Sequence, residues 1–393
     1  DTLSLHDALP ILNISGATSG VTLKGLNTST FPPSSVLLGS NTLTLALPAT
    51  ATSNMSGQIS GTGGLTILNS SGSGTATVNL TYTNSYTGPT NVGIGAVLAL
   101  SSNGSISGSS RLNVLGSFSS SVIGGQTLKS LAGNGPISLT TGSLTINKPA
   151  DEFSGQLSLA GSLSVTGGGK QILSGNNTGF TGAITIANAT TLAIAHAGAL
   201  GSAASVSGIS IQTGGILDIQ GVTPLSTRPL TMGSGGGSII NSTSGTATVN
   251  GSVSNNALEA LNVDAATQGA LIFNGSWSGG ARLIKGLGLG TVVVAGTSIA
   301  TSPITVNGGT LQVGTLTSTT GALGNGLVTV ANSANLVAYR SGNLALASLM
   351  GAISGTGNVT VQATGAVSID QTITLTGDNS TIRLIAGSAA AAN

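Results

Sequence analysis

Apolar residues two positions apart, each pair followed within a few residues by Gly, Asn, Ser or Thr, constrain this chain more than any other feature. Leu112/Val114, Ile137/Leu139, Leu144/Ile146, Leu157/Leu159, Leu163/Val165, Ile184/Ile186, Ile209/Ile211, Leu261/Val263, Ile304/Val306, Val328/Val330 and Ile373/Leu375 all follow the pattern. Period-two alternation puts one face of a short strand inward and the other outward. No amphipathic helical stretch separates the pairs, which argues against a βαβ sheet. Several pairs fall about seven residues apart, so three strands make a turn of roughly 20 to 25 residues, a size suited to stacked repeats. The expected fold is all-β: a parallel β-solenoid with Leu, Ile and Val inside and Thr, Ser, Asn and Gln outside. Its corners fall on Gly and Asn, which tolerate positive φ. At about 22 residues per turn, positions 12–393 give roughly 17 turns. At about 4.8 Å per turn, the rod is on the order of 80 Å long. An antiparallel sandwich or propeller would need longer strands and larger core residues.

Composition narrows the chemistry. Of 393 residues, 62 are Gly, 2% are aromatic and only 5% are charged, against about 25% charged in average globular proteins. The 39% of apolar residues suffice for a thin core. The ten basic residues scatter from Lys24 to Arg383 without a cluster. A phosphate-neutralising nucleic-acid surface and a basic membrane-surface helix are therefore not expected. Cysteine is absent, which excludes disulfides, iron–sulfur clusters and Cys-based zinc sites. No run long and apolar enough for a membrane-spanning helix occurs, so none is expected.

A longer unit repeats. Tyr86 to Leu100 reads YTGPTNVGIGAVLAL, and Phe180 to Ile194 reads FTGAITIANATTLAI. Each has an aromatic residue followed by Thr-Gly (Tyr86-Thr87-Gly88 and Phe180-Thr181-Gly182), then a Leu at the same distance beyond the Gly (Leu98 and Leu192). Asn84 precedes the first copy. Tyr86 and Phe180 are expected at equivalent corners about four turns apart, filling the interior or stacking between turns, as is Tyr82. Together with the Gly-rich turns and the Gly-Ala-Leu-Gly ending at 198–201, these units resemble the autotransporter-associated β-strand repeat, from about Ile59 to Val330 and more weakly from Ile353 to Leu384. A third copy departs from the pattern, with Thr301-Ser302-Pro303 in place of Tyr-Thr-Gly. The resemblance implies a right-handed β-helical stalk in the secreted passenger region of a bacterial autotransporter, carried to the cell surface by a C-terminal β-barrel. The many long alternating strands and aromatic girdles of such a barrel are not in this chain, so the barrel is expected outside it. Thr2 to Ile11, TLSLHDALPI, resembles the translation of a sequencing-library adapter. The organisation expected is thus an artefact at 1–11, irregular solenoid turns over 12–58 and the repeat-bearing β-helix over 59–393, truncated at both ends. Without 1–11, ten basic against seven acidic residues leave a net charge of +3.

Candidate chemistry is sparse. Outside the first eleven residues the only His is His196, and multi-His metal sites are excluded. Gly167-Gly168-Gly169-Lys170-Gln171 lacks the spacing and the Ser/Thr of a phosphate loop. Glu259 and Asp264 precede Arg282 and Lys285 by close to one turn's length, and the four are expected to form a salt-bridge ladder. Asp151 and Glu152 fall in a corner loop after Pro149, where solvation is expected; Asp370 and Asp378 show no basic partner nearby. Trp277, the only Trp, either stacks on a sugar ring or caps the interior. The expectation is no catalytic, metal or cofactor site and a stalk or adhesin binding glycans or proteins or associating with itself. A carbohydrate-active β-helix enzyme and a self-assembling filament subunit are the competing readings; the first needs clustered carboxylates.

Overall fold

A computed structural model of the chain describes residues 12–14, 16, 21–24, 30–31, 35–201, 207–223, 227–255, 259–280, 282–298 and 302–387. The adapter-like residues 1–11 lie outside them. The structure is an all-β, parallel β-solenoid of about 16 turns, in two units, 1–184 and 185–393. Every strand pairing described is parallel and in register.

In the first unit the chain visits three faces per turn. The first face stacks Leu43–Leu47, Leu65–Asn69, Thr90–Val92, Leu112–Val114 and Leu131–Gly133. The second stacks Thr52–Met55, Ala76–Leu80, Ala96–Leu100, Ser117–Ser120, Ile137–Leu139 and Leu157–Leu159. The third face is discontinuous. Strands Leu12–Asn13, Ser35–Leu37 and Gln58–Ser60 form its early part, and Gln126–Leu128, Leu144–Ile146 and Leu163–Val165 its later part. Between them, two turns carry loops joined by the isolated bridge Thr83 to Ser105. Turn length varies. Leu43 pairs with Leu65 and Leu112 with Leu131, so the second of these turns is the shorter.

The second unit is built likewise. Its first face runs from Thr190–Ile194 through Gly215–Ile219 and Leu261–Ala265 to Ile373–Leu375. Its second runs from Thr246–Val249 to Ile382–Ile385. Thr191 pairs with Ile216 and Ile353 with Ile373, so turn length varies here too. The one helical turn among the described residues is Leu346–Ser348.

The alternation in the sequence is the alternation in burial. Leu112–Val114, Ile137–Leu139 and Leu144–Ile146 each bury their outer residues and half-expose the middle one. Inward residues of successive turns stack into columns such as Leu45–Ile67–Val92–Val114. Each buried aliphatic contributes roughly 1.5–3 kcal/mol relative to exposure. Short strands suffice because each backbone is paired on both edges by its neighbours. Apolar pairs that straddle a strand end behave differently. The strand Ala76–Leu80 stops before Tyr82, and Thr90–Val92 stops before Ile94, so these two side chains are 50% and 81% exposed.

Candidate functional site

The signature loop at 84–88 is built around Asn84. Its side chain is buried and ties three successive turns: Ile59 N–H donates to Oδ1 (2.8 Å), while Nδ2 donates to the carbonyls of Tyr82 (2.9 Å) and Ser105 (3.0 Å). The loop backbone continues the ladder, with Tyr86 N–H on the Ile59 carbonyl and Thr87 N–H on that of Gly61. Thr87 is exposed, whereas Gly88 is buried, and a Cβ there would stand 2.4 Å from the Gly63 carbonyl oxygen. Leu98, further on, is an inward residue of Ala96–Leu100.

Tyr86 is fully buried. Its hydroxyl donates to Thr90 Oγ1 (2.6 Å), which donates to Ser109 Oγ (2.9 Å), which faces the carbonyls of Gly88 (2.9 Å) and Arg111 (3.0 Å). This chain explains why Thr90 holds an inward position between Leu65 and Leu112. Burial pushes the Tyr86 phenol well above its ordinary value, and the Thr90 hydrogen bond only partly offsets that. The group stays neutral and structural.

The second copy repeats the device on another face. Asn177, buried, accepts from Leu157 N–H (2.7 Å), Phe180 is buried, and a Cβ on Gly182 would lie 2.0 Å from the Gly161 carbonyl oxygen. Ala183 then receives Leu163 N–H, placing the loop before the third face, whereas the Tyr86 loop leads into Thr90–Val92 of the first. The two aromatic residues therefore do not occupy equivalent corners. Thr181 sits between Phe180 and the buttressed Gly182, and Leu192 is an inward residue of Thr190–Ile194. Asn177 is the residue that sequence reasoning missed. It stands three positions before its aromatic partner, where Asn84 stands two.

Asp151, Glu152, Asp218, Asp264 and Asp370 are each tied to a neighbouring group. Lys285, fully buried, donates to Asp264 Oδ1 (2.7 Å) and to the carbonyls of Gly288 (2.6 Å) and Gly286 (3.2 Å). Asp264 Oδ2 accepts from Gly288 N–H (3.0 Å). The pair thus clamps the loop 286–290, which holds Leu287 and Leu289 outward. It is one rung of the expected ladder; among the described residues Glu259 and Arg282 share no ion pair. Asp151 is paired rather than merely solvated, meeting Arg111 (3.1 Å) from two turns below and Ser130 (2.6 Å) from the turn between. Asp218 accepts from Ser242, and Asp370 from the Ala347 N–H. Gln171, in the superficially phosphate-loop-like run, is buried and donates to the Leu131 and Asp151 carbonyls. His196 is exposed, with Nδ1 accepting from Gly198 N–H (3.0 Å). Among the described residues no three His, Cys, Asp or Glu side chains group as metal ligands would.

Two aromatic residues take positions that the pattern did not fix. Trp277 is 6% exposed and packs edge-on against Phe273, ring centroids 4.8 Å apart, and lines a small cleft of about 10 Å³. This is the interior arrangement of its two readings. The Trp277 indole N–H has no hydrogen-bond partner among the described residues. Tyr82 is the reverse: expected to fill the interior or stack between turns, it stands half-exposed in an open recess of about 580 Å³ on the loop-built part of the third face.

Among the described residues no helix is long and apolar enough to cross a membrane. No family model and no solved structure matches the chain. A curated protein does: the adhesin BmaC autotransporter of Brucella suis biovar 1 (strain 1330), 31% identical over 352 residues. The match covers 87% of this chain and 9% of that protein. In sequence the chain is thus similar to a short stretch of a long autotransporter adhesin.

Proposed function

We propose that the chain is a non-catalytic, adhesin-like stalk segment of an autotransporter passenger, displayed outside the bacterial cell and built from autotransporter-associated strand repeats. A translocator barrel beyond this stretch would export and anchor it. The similarity to the adhesin over most of the chain carries the reading, and the repetitive, nearly uncharged solenoid supports it. The structural roles of the carboxylates support the non-catalytic part, since a carboxyl group held in local hydrogen bonds is not free for the acid, base or nucleophile work of glycoside hydrolysis. Asp151, Asp218 and Asp264 instead serve as local ties. The test is display. The chain is fused ahead of a heterologous translocator barrel in a Gram-negative host, and surface exposure is read by protease shaving and adherence to glycan- or matrix-coated surfaces. Exposure with increased adherence is expected. Retention inside the cell, or exposure without any gain in adherence, overturns the proposal.

A further inference from the structure

We propose that the recess on the third face of the first unit is a binding site for a neutral saccharide, with one sugar ring stacked on Tyr82. The inference rests on the adhesin reading for its biological sense and on geometry for its chemistry. Where the third face lacks strands, the loops at 82–86 and 103–109 step back between Gln58–Ser60 and Gln126–Leu128, leaving an open hollow of about 580 Å³. That falls within the range of roughly 300–1,000 Å³ usual for ligand sites.

Its lining selects the ligand. Tyr82 offers a half-exposed ring, an apolar face with a polar tip. Around it stand Thr83, Asn103, Ser107, Gln126 and Thr127, groups that both donate and accept hydrogen bonds, as sugar hydroxyls do. Among the described residues no Asp, Glu, Lys, Arg or His lines the hollow. Nearby Lys129 has its ammonium on the Gly108 carbonyl (2.6 Å). A sulfated, phosphorylated or uronate ligand would thus lose hydration without gaining a counter-charge. An apolar peptide would meet amides and hydroxyls rather than an apolar wall. A neutral sugar matches both features, its C–H face on the ring and its hydroxyls on the amides.

The site is also preformed. Asn84 holds the Tyr82 and Ser105 carbonyls, Gln126 Nε2 reaches the Gly104 carbonyl (3.3 Å), and Ser105 Oγ receives Ser107 N–H (3.2 Å). Fixing these groups before binding lowers the ordering cost that weakens shallow sites. Asn84 is here a positioning residue, while Tyr82 and Asn103 would touch the sugar.

The test titrates the full chain with neutral tetrasaccharides of β-1,4-glucose, α-1,4-glucose and β-1,4-N-acetylglucosamine, and with an acidic tetragalacturonate, by calorimetry and saturation-transfer NMR. At least one neutral member is expected to bind and the acidic one not. Tyr82→Ala should weaken that binding about tenfold or more, while Tyr82→Phe stays within about threefold, because the ring face and not the hydroxyl carries the contact. An unchanged thermal transition in Tyr82→Ala would show that the loss is local. Preference for the acidic tetrasaccharide, no neutral binding, or Tyr82-independent binding overturns the proposal. The display assay separates the two readings. Adherence in a chain whose sugar binding is absent or unchanged by Tyr82→Ala sinks the recess and leaves the adhesin standing. Tyr82-dependent sugar binding without adherence does the opposite.

Discussion

The loops at 84–88 and 177–182 solve one problem on two faces of the first unit. In each, a buried Asn side chain accepts a backbone N–H from the turn below, an aromatic ring enters the core, and a Gly lies flat against the carbonyl of an earlier turn. The first loop leads to the first face and the second to the third. The difference teaches that this element is a portable way to dock an irregular stretch on a regular stack, and does not mark a fixed corner. The surroundings diverge as well. Beside the first loop the third face lacks strands, which opens the recess and leaves Tyr82 outside; beyond the second the chain rejoins the ladder at Ala183.

The largest effect expected on that comparison comes from the glycines. Gly88→Val and Gly182→Val should each lower stability by about 3 kcal/mol or more, because the obstacle is backbone and cannot swing aside. Thermal or denaturant unfolding reads this; a cost below about 1 kcal/mol at either site would break the equivalence. Asn84→Ala and Asn177→Ala should each cost about 2–3 kcal/mol by orphaning the N–H of Ile59 or Leu157. A much smaller loss at Asn177 would make it a bystander.

The aromatic residues sharpen the contrast. Tyr86→Phe removes the head of the hydroxyl chain through Thr90 and Ser109 and should cost about 1–2 kcal/mol. Tyr86 also predicts an alkaline limb. Its folded-state pKa lies above the ordinary 10.0, so the unfolded chain loses this proton first. Its contribution is intact below about pH 10 and declines above it by up to about 1.4 kcal/mol per pH unit. Unfolding melts from about pH 9 to about pH 11.5 should show this limb in the native chain and a shallower one in Tyr86→Phe. The smallest effect belongs to Tyr82→Ala, whose exposed side chain should change stability by less than about 0.5 kcal/mol.

Spacing alone revealed more than contact chemistry did. The near-one-turn interval between Asp264 and Lys285 announced an ion pair between adjacent turns, and the pair is there. Asp151 was legible only as a corner residue, because its partner Arg111 lies two turns away and no short-range pattern points that far. Gln171 reaches back two turns in the same way.

From the sequence alone came the solenoid itself, its inward columns of Leu, Ile and Val, and the approximate length of a turn. In-out alternation is a local property of a strand, and each pair of apolar residues declares it independently. Only the tertiary structure decided which face each strand joins, where the third face lapses into loops, and that Tyr82 stands outside while Trp277 goes in. Face membership depends on the accumulated lengths of the preceding turns, which differ along the chain. A side chain beyond a strand's last rung takes its direction from the turn stacked beside it, and the alternation does not encode that direction.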